Sequence, residues 1–217
     1  MPHRPRCSGP CDEPSAGGAA RRRSVGFPEA AAEVAGFLGS RGIPYAIIGG
    51  LALQRWGEPR LTRDVDVVVL VDAEALQAFV DDVLERFAPR IPDARAFALR
   101  HRVLLVRTGE GVPVDISLGI PGYEEEALGR AQPLELPSGA VIRILGPEDL
   151  VIHKCVAGRP RDVEDVEAIL IRQRLRLDLD LIRRWLRAFG PVVETHDPLT
   201  LFEEALDRAR AALEAPG

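Results

Sequence analysis

From Pro28 the segment PEAAAEVAGFLGSRG places Ala31, Val34 and Leu38 at near-helical spacing and stops at Gly42. That pattern predicts a helix with one buried face, with proline suited to its first turn. Pro44 to Ile48 is short, β-branched and aromatic, as a strand requires, and breaks at Gly49-Gly50 into LALQRWG, which reads as a helix ending at Gly57. After the loop EPRLTR comes DVDVVVLV, the strongest strand signal in the chain. AEALQAFVDDVLERF follows, apolar at 76, 79, 80, 83, 84 and 87, and predicts an amphipathic helix. Two extended segments, roughly 97–107 and Val112 to Leu118, flank the turn Gly109-Glu110-Gly111 and predict an antiparallel hairpin. These pieces give a mixed sheet of about four strands.

Beyond Gly119-Ile120-Pro121-Gly122 the pattern turns helical, apart from the hairpin-like LELPSGAVIRIL. Four helices are predicted over Pro147 to Ala157, Val163 to Arg174, Leu179 to Phe189 and Leu199 to Leu213. The fold class is α/β (α+β), a small mixed sheet with helices packed on it and a C-terminal helical bundle. Residues 1–24, rich in Pro, Gly, Ala and Arg, have too little apolar surface to offset ordering entropy and read as a disordered tail. The core is expected over 25–146 and the helical region over 147–217.

A hydrophobic content of 46% is enough for one well-buried core, which excludes a disordered or fibrous chain. Net charge of −5 gives no global positive field, so broad non-specific binding to nucleic acid is not expected, although a local basic groove stays open. No apolar run is long enough to span a bilayer and the first residues lack a signal-peptide core; no membrane partner and a cytoplasmic location are expected. Cys7, Cys11 and Cys155 make no disulfide framework.

The chemistry begins at Asp64 and Asp66. Residues two apart on a strand share a face, so these carboxylates stand side by side while Val65, Val67, Val69 and Val71 point the other way. Two like charges beside a core need a compensating cation, because burial and mutual repulsion both oppose ionisation. Hard oxygen donors without sulfur or imidazole favour Mg²⁺ or Mn²⁺. Asp115, in VPVDISLG, is the only other acidic residue set inside a predicted strand and would complete a three-carboxylate cluster. A plainer reading pairs Asp64 and Asp66 with Arg60 and Arg63 at an exposed strand start. Against it stands the Gly49-Gly50 turn upstream, where bare backbone and a helix N-terminus suit phosphate.

The stretch YAIIGGLALQRWGEPRLTRDVDVVV resembles the opening motif of the nucleotidyltransferase superfamily, a Gly-Gly or Gly-Ser turn followed by D-x-D on the next strand. GPEDLVIHKCVAGRPRDVEDVEAIL resembles the C-terminal signature of bacterial AbiEii-type and related minimal nucleotidyltransferases of toxin–antitoxin systems. The resemblance implies that Gly49 and Gly50 line the phosphates of an NTP, that Asp64 and Asp66 bind the metal, and that Asp115 is third carboxylate and general base. It further implies that Lys154 contacts nucleotide or acceptor, with Asp162 or Asp165 nearby. Gly50 departs from many active members, which carry there a serine whose hydroxyl contacts a phosphate.

Lys154 is the only lysine in a chain that otherwise uses arginine. It sits at the edge of the apolar stripe of its helix, where it either reaches phosphate as a point charge or snorkels to the surface. Asp162 and Asp165 fit an N-cap and an N3 acid. Arg159 and Arg161 supply charge for phosphate, alongside Arg63, or pair with those acids. His101 and His153 lack a ligand set and read as structural; Trp56 and Trp185 read as core. The leading expectation is metal-dependent transfer of a nucleoside monophosphate from NTP to an acceptor hydroxyl on tRNA, protein or a small molecule, with a separately encoded antitoxin in the toxin reading. A catalytically weak nucleotide- or protein-binding module and an antibiotic-type adenylyltransferase are the alternatives.

Overall fold

A computed structural model describes residues 26–60, 62 and 64–215. The expected tail, the Cys7/Cys11 pair and Arg63 lie outside the described residues. Helix α1 (Phe27–Ser40) carries Pro28 in its first turn and buries Ala31, Val34 and Leu38, as the spacing requires. Strand β1 (Tyr45–Ile47), helix α2 (Gly49–Trp56), strand β2 (Val65–Val69) and helix α3 (Leu76–Arg86) follow in the predicted order.

The extended reading of 97–107 is half wrong. Ala94–His101 is a helix, α4, with Ala94 and Ala98, one turn apart, on its buried side. It is preceded by the two-residue strand β3 (Ala88–Pro89). Extended structure starts only at β4 (Val103–Arg107), after Arg102 ends the helix in the left-handed region at φ 55°. No glycine or proline marks that stop, so the sequence pattern runs through it. Strand β5 (Pro113–Leu118), helix α5 (Tyr123–Gly129), and strands β6 (Gln132–Glu135) and β7 (Val141–Ile144) complete the core.

The sheet has seven strands rather than about four, in the order β3-β4-β5-β2-β1-β7-β6. Both outermost strands are short and contain a proline, Pro89 and Pro133, which an edge tolerates and an interior strand does not. At the centre β2 runs parallel to β5 and antiparallel to β1, with Asp66 opposite Asp115 and Val67 opposite Ile116. Val65, Val67, Val69, Val114, Ile116, Leu104 and Val106 are essentially excluded from solvent. The alternation of β2 and β5 therefore sends one set of side chains into the core and leaves Asp66 and Asp115 on the other face.

Four helices close the chain: α6 (Pro147–Ala157), α7 (Pro160–Arg172), α8 (Leu179–Phe189) and α9 (Pro198–Glu214). They pack on one another, and α2 joins them to the sheet by contacting α6, α7 and β2. The buried indole N–H of Trp56 donates to Leu145 O at 2.7 Å, fastening α2 to the segment before α6. Trp185 is only half-buried, stacked among Tyr123 and Phe189. Helix α7 begins three residues before the predicted start, with Arg159 at the N-cap and Pro160 in the first turn. Asp162 is therefore inside the helix and caps nothing, because the proline fixes an earlier first turn. Among the described residues no helix is long and apolar enough to cross a membrane.

Candidate active site

Asp64 stands at the entry to β2 and Asp66 within it, and the parallel pairing with β5 sets Asp115 directly beside Asp66. One carboxylate oxygen from each lies within 4.8 Å of the others. Strand alternation predicted the first two as neighbours; the third arrives through a crossover from residues some fifty positions along the chain. Each acid has a different setting. Thr62 Oγ1 lies 3.1 Å from both the backbone oxygen and Oδ1 of Asp64. Asp115 Oδ1 forms an ion pair with Arg90 Nη1 at 2.7 Å. Asp66 is pushed up from 3.8 to about 6, first by burial and then by the charges of Asp64 and Asp115, against the opposing pull of Arg159 and Lys154. Burial also raises Asp115, partly offset by Arg90.

The glycine turn lies against this cluster. Ile48 N–H donates to Asp66 O at 2.8 Å, which brings Gly49 over the β2 aspartate. Gly49 adopts φ 61°, and a Cβ there would run into the Asp66 carboxylate, so both backbone and space demand glycine. A Cβ on Gly50 would come within 2.6 Å of Thr62 Cβ and 2.7 Å of its hydroxyl. Thr62 thus fills the notch that Gly50 leaves, and is itself buried.

Facing the acids is a wall of cations. A cleft of about 650 Å³ is lined by Gly49, Gly50, Thr62 and the three aspartates on one side, and by Arg60, Lys154, Arg159, Arg161 and Asp162 on the other. Lys154 is neither an edge nor a surface residue; it is buried, with its ammonium 3.1 Å from Asp162 Oδ1 and 2.5 Å from Asp165 Oδ2. Arg159 donates to Asp162 at 2.6 Å but leaves 75% of its side chain in solvent. Arg60 pairs with Asp165 at 3.4 Å, not with Asp64 or Asp66 as the plainer reading had it. Burial opposes the charge on Asp162, yet Arg159 and Lys154 outweigh it and hold the carboxyl below its usual range. Gly158, at φ 59°, lacks the Cβ that would strike the His196 ring, whose Nε2–H donates to Cys155 O at 2.7 Å. That contact fixes the turn from which Arg159 projects.

All the sequence-predicted site residues that are described, Gly49, Gly50, Asp64, Asp66, Asp115, Lys154 and Arg159, line this one cleft. Sequence reasoning missed Arg90 and Thr62. Thr62 lies in the loop between the glycine turn and D-x-D with no pattern to single it out, and only strand pairing brings Arg90 to Asp115. His153 does not line the cleft, and burial lowers it to about 4, which holds it neutral near physiological pH. A second, mostly apolar depression of about 490 Å³, lined by Tyr45, Leu70, Leu128 and Arg143 at the far end of β1, gathers no comparable set of charges.

No curated protein matches the chain by sequence. Among solved structures, an antigenic nucleotidyltransferase-like protein from Paracoccidioides brasiliensis is 18% identical, with a TM-score of 0.53 over 86% of this chain and 89% of its own, which shows a shared fold. The lincosamide antibiotic adenylyltransferase LnuA matches at 11% identity and TM-score 0.41, over 63% of this chain and 92% of that one. Antibiotic-resistance factor ANT(2'')-Ia matches at 15% identity and TM-score 0.37, over 86% and 89%. The family model described as "Nucleotidyl transferase of unknown function" (DUF2204) matches residues 28–196, a span containing every site residue named above. With most of its length inside that match, and the acidic cluster and glycine turn both within it, the chain belongs to this family of nucleotidyl transferases.

Proposed function

We propose that the protein is a metal-dependent nucleotidyltransferase that moves a nucleoside monophosphate from NTP to an acceptor hydroxyl. The observation that carries this is the convergence of Asp64, Asp66 and Asp115, within 4.8 Å of one another, against a glycine turn and opposite a cationic wall. The donor set fits Mg²⁺ or Mn²⁺: three hard oxygens crowd together, and Asp66, raised to about 6, is the group that a bound cation would relieve. When bound, such an ion supplies charge neutralisation at the phosphates.

The chain's own residues do the rest. Gly49 and Gly50 let backbone amides at the start of α2 approach phosphate. Arg159 and Arg161 offset the triphosphate charge from the opposite wall. Asp115 takes the proton of the acceptor hydroxyl as its oxygen bonds to the α-phosphorus and the bond to diphosphate breaks, releasing diphosphate. Lys154, spent on Asp162 and Asp165, acts by holding α6 to α7 and by its field at Asp66.

The test is incubation with each labelled NTP, Mg²⁺ and total tRNA, protein extract or small hydroxyl compounds, with Asp64→Ala and Asp66→Ala as controls. Label transfer that survives both substitutions refutes the site. The finer role, a toxin restrained by a separately encoded antitoxin, is supported by the motif resemblance of the α6–α7 region; expression from a tight promoter that leaves growth unaffected refutes it.

A further inference from the structure

Among the described residues Arg90 is the one cation that forms an ion pair with the acidic cluster, and its position comes from the sheet. Its backbone N–H donates to Leu105 O at 3.0 Å, Leu105 pairs with Asp115, and Asp115 pairs with Asp66. Arg90, Leu105, Asp115 and Asp66 therefore form one row across the sheet, running from its edge to its centre. Two inter-strand spacings, about 10 Å, separate Arg90 from Asp115, a span that a long basic side chain bridges. The guanidinium ends 2.7 Å from Asp115 Oδ1, an oxygen closed off from solvent that no hydrogen bond reaches, so the contact is an ion pair. Asp64 and Asp66 have no such ion pair among the described residues.

We infer that Arg90 is a positioning residue of the acidic cluster: it occupies one oxygen of Asp115, so that the carboxylate turns only its other oxygen toward Asp64 and Asp66. The inference rests on the nucleotidyltransferase reading of this site. Its consequence is a division of labour. Asp64 and Asp66, which make no ion pair among the described residues, would hold the ion, whereas Asp115 keeps one oxygen for Arg90 and the other toward the acceptor. Arg90 competes with the metal for the charge of Asp115 and, by the same contact, aims it. Metal affinity and turnover should therefore respond to its removal in opposite directions, which an arginine that merely stabilised the sheet edge would not produce.

The experiment is a double-mutant cycle between Arg90→Ala and Asp115→Asn in the full chain, with Mn²⁺ titrated and followed by electron paramagnetic resonance, and label transfer from NTP measured on the same proteins. Arg90→Ala is expected to tighten Mn²⁺ binding about fivefold by removing an adjacent positive charge. It is expected to slow transfer about tenfold by freeing Asp115. Arg90→Lys, which keeps the charge but not the planar fork, should hold Mn²⁺ affinity near that of the parent and recover part of the rate. In the Asp115→Asn background, the effect of Arg90→Ala on Mn²⁺ should shrink to less than about twofold. Weaker or unchanged Mn²⁺ binding in Arg90→Ala, or an effect undiminished beside Asp115→Asn, overturns the inference. If Arg90→Ala does not fold, Arg90→Gln replaces it in the same cycle. A parent protein that binds Mn²⁺ but transfers no label refutes the nucleotidyltransferase reading alone, because the Mn²⁺ cycle still decides the role of Arg90.

Discussion

Replacing Asp66 by asparagine should stabilise the metal-free protein at neutral pH while destroying its response to metal. Folding raises this carboxyl from 3.8 to about 6, chiefly through burial and then through Asp64 and Asp115. At about 1.4 kcal/mol per pH unit, holding it ionised costs the folded state about 3 kcal/mol. The sign follows from proton binding. Between 3.8 and about 6 the folded state binds the extra proton, so its stability falls as pH rises through that window and is level above it. Asparagine nearly preserves the shape and removes the charge. At pH 7.5, without metal, Asp66→Asn should therefore gain up to about 3 kcal/mol, or about 5–10 °C in Tm for a chain of this size. Near pH 3.5, where Asp66 is protonated in the folded parent, the difference should vanish. Saturating Mg²⁺ or Mn²⁺ should raise the Tm of the parent and leave the variant unmoved. Thermal melts over pH 3.5–8, with and without metal, read all three. A variant less stable than the parent at pH 7.5, or one stabilised equally by metal, refutes the account of Asp66 as a strained metal ligand.

Three further outcomes follow from the cleft. Gly50→Ser should lower Tm, because its Cβ meets Thr62 at 2.6 Å, with a cost of about 1–3 kcal/mol. Adding Thr62→Gly should recover most of that loss. Lys154→Met should destabilise by about 3 kcal/mol in urea unfolding at pH 7, since it leaves two buried aspartates short of their shared cation. The Asp162 share of that loss is full above its ordinary 3.8 and fades as the pH falls through its lowered folded value. Arg159→Ala, which takes from buried Asp162 one of its two cations but leaves Lys154, should lower Tm by about 2–5 °C and raise the KM for NTP about tenfold in steady-state kinetics.

The sequence by itself determined the order of helix, strand, glycine turn and helix up to Trp56, the β2 strand with two carboxylates on one face, and the four closing helices. These are local matters: periodicity, punctuation by glycine and proline, and alternation act over a few residues and leave their mark in the chain. It also singled out Asp115 and Lys154, one as an acid in a strand and the other as the sole lysine. Tertiary structure alone decided what those residues contact. The parallel register of β2 with β5 put Asp115 beside Asp66, and the packing of α6 on α7 gave Lys154 to Asp162 and Asp165. The edge strand β3, too short to carry a period, escaped notice, and with it Arg90, whose link to the Asp64/Asp66 pair runs across strands distant in sequence. Thr62 was missed for a related reason, since its place over Gly50 depends on how a loop folds back rather than on any repeating pattern. The glycine turn shows both sides together: two glycines in sequence announced a tight turn, but only the approach of Asp66 and Thr62 explains why each must be glycine.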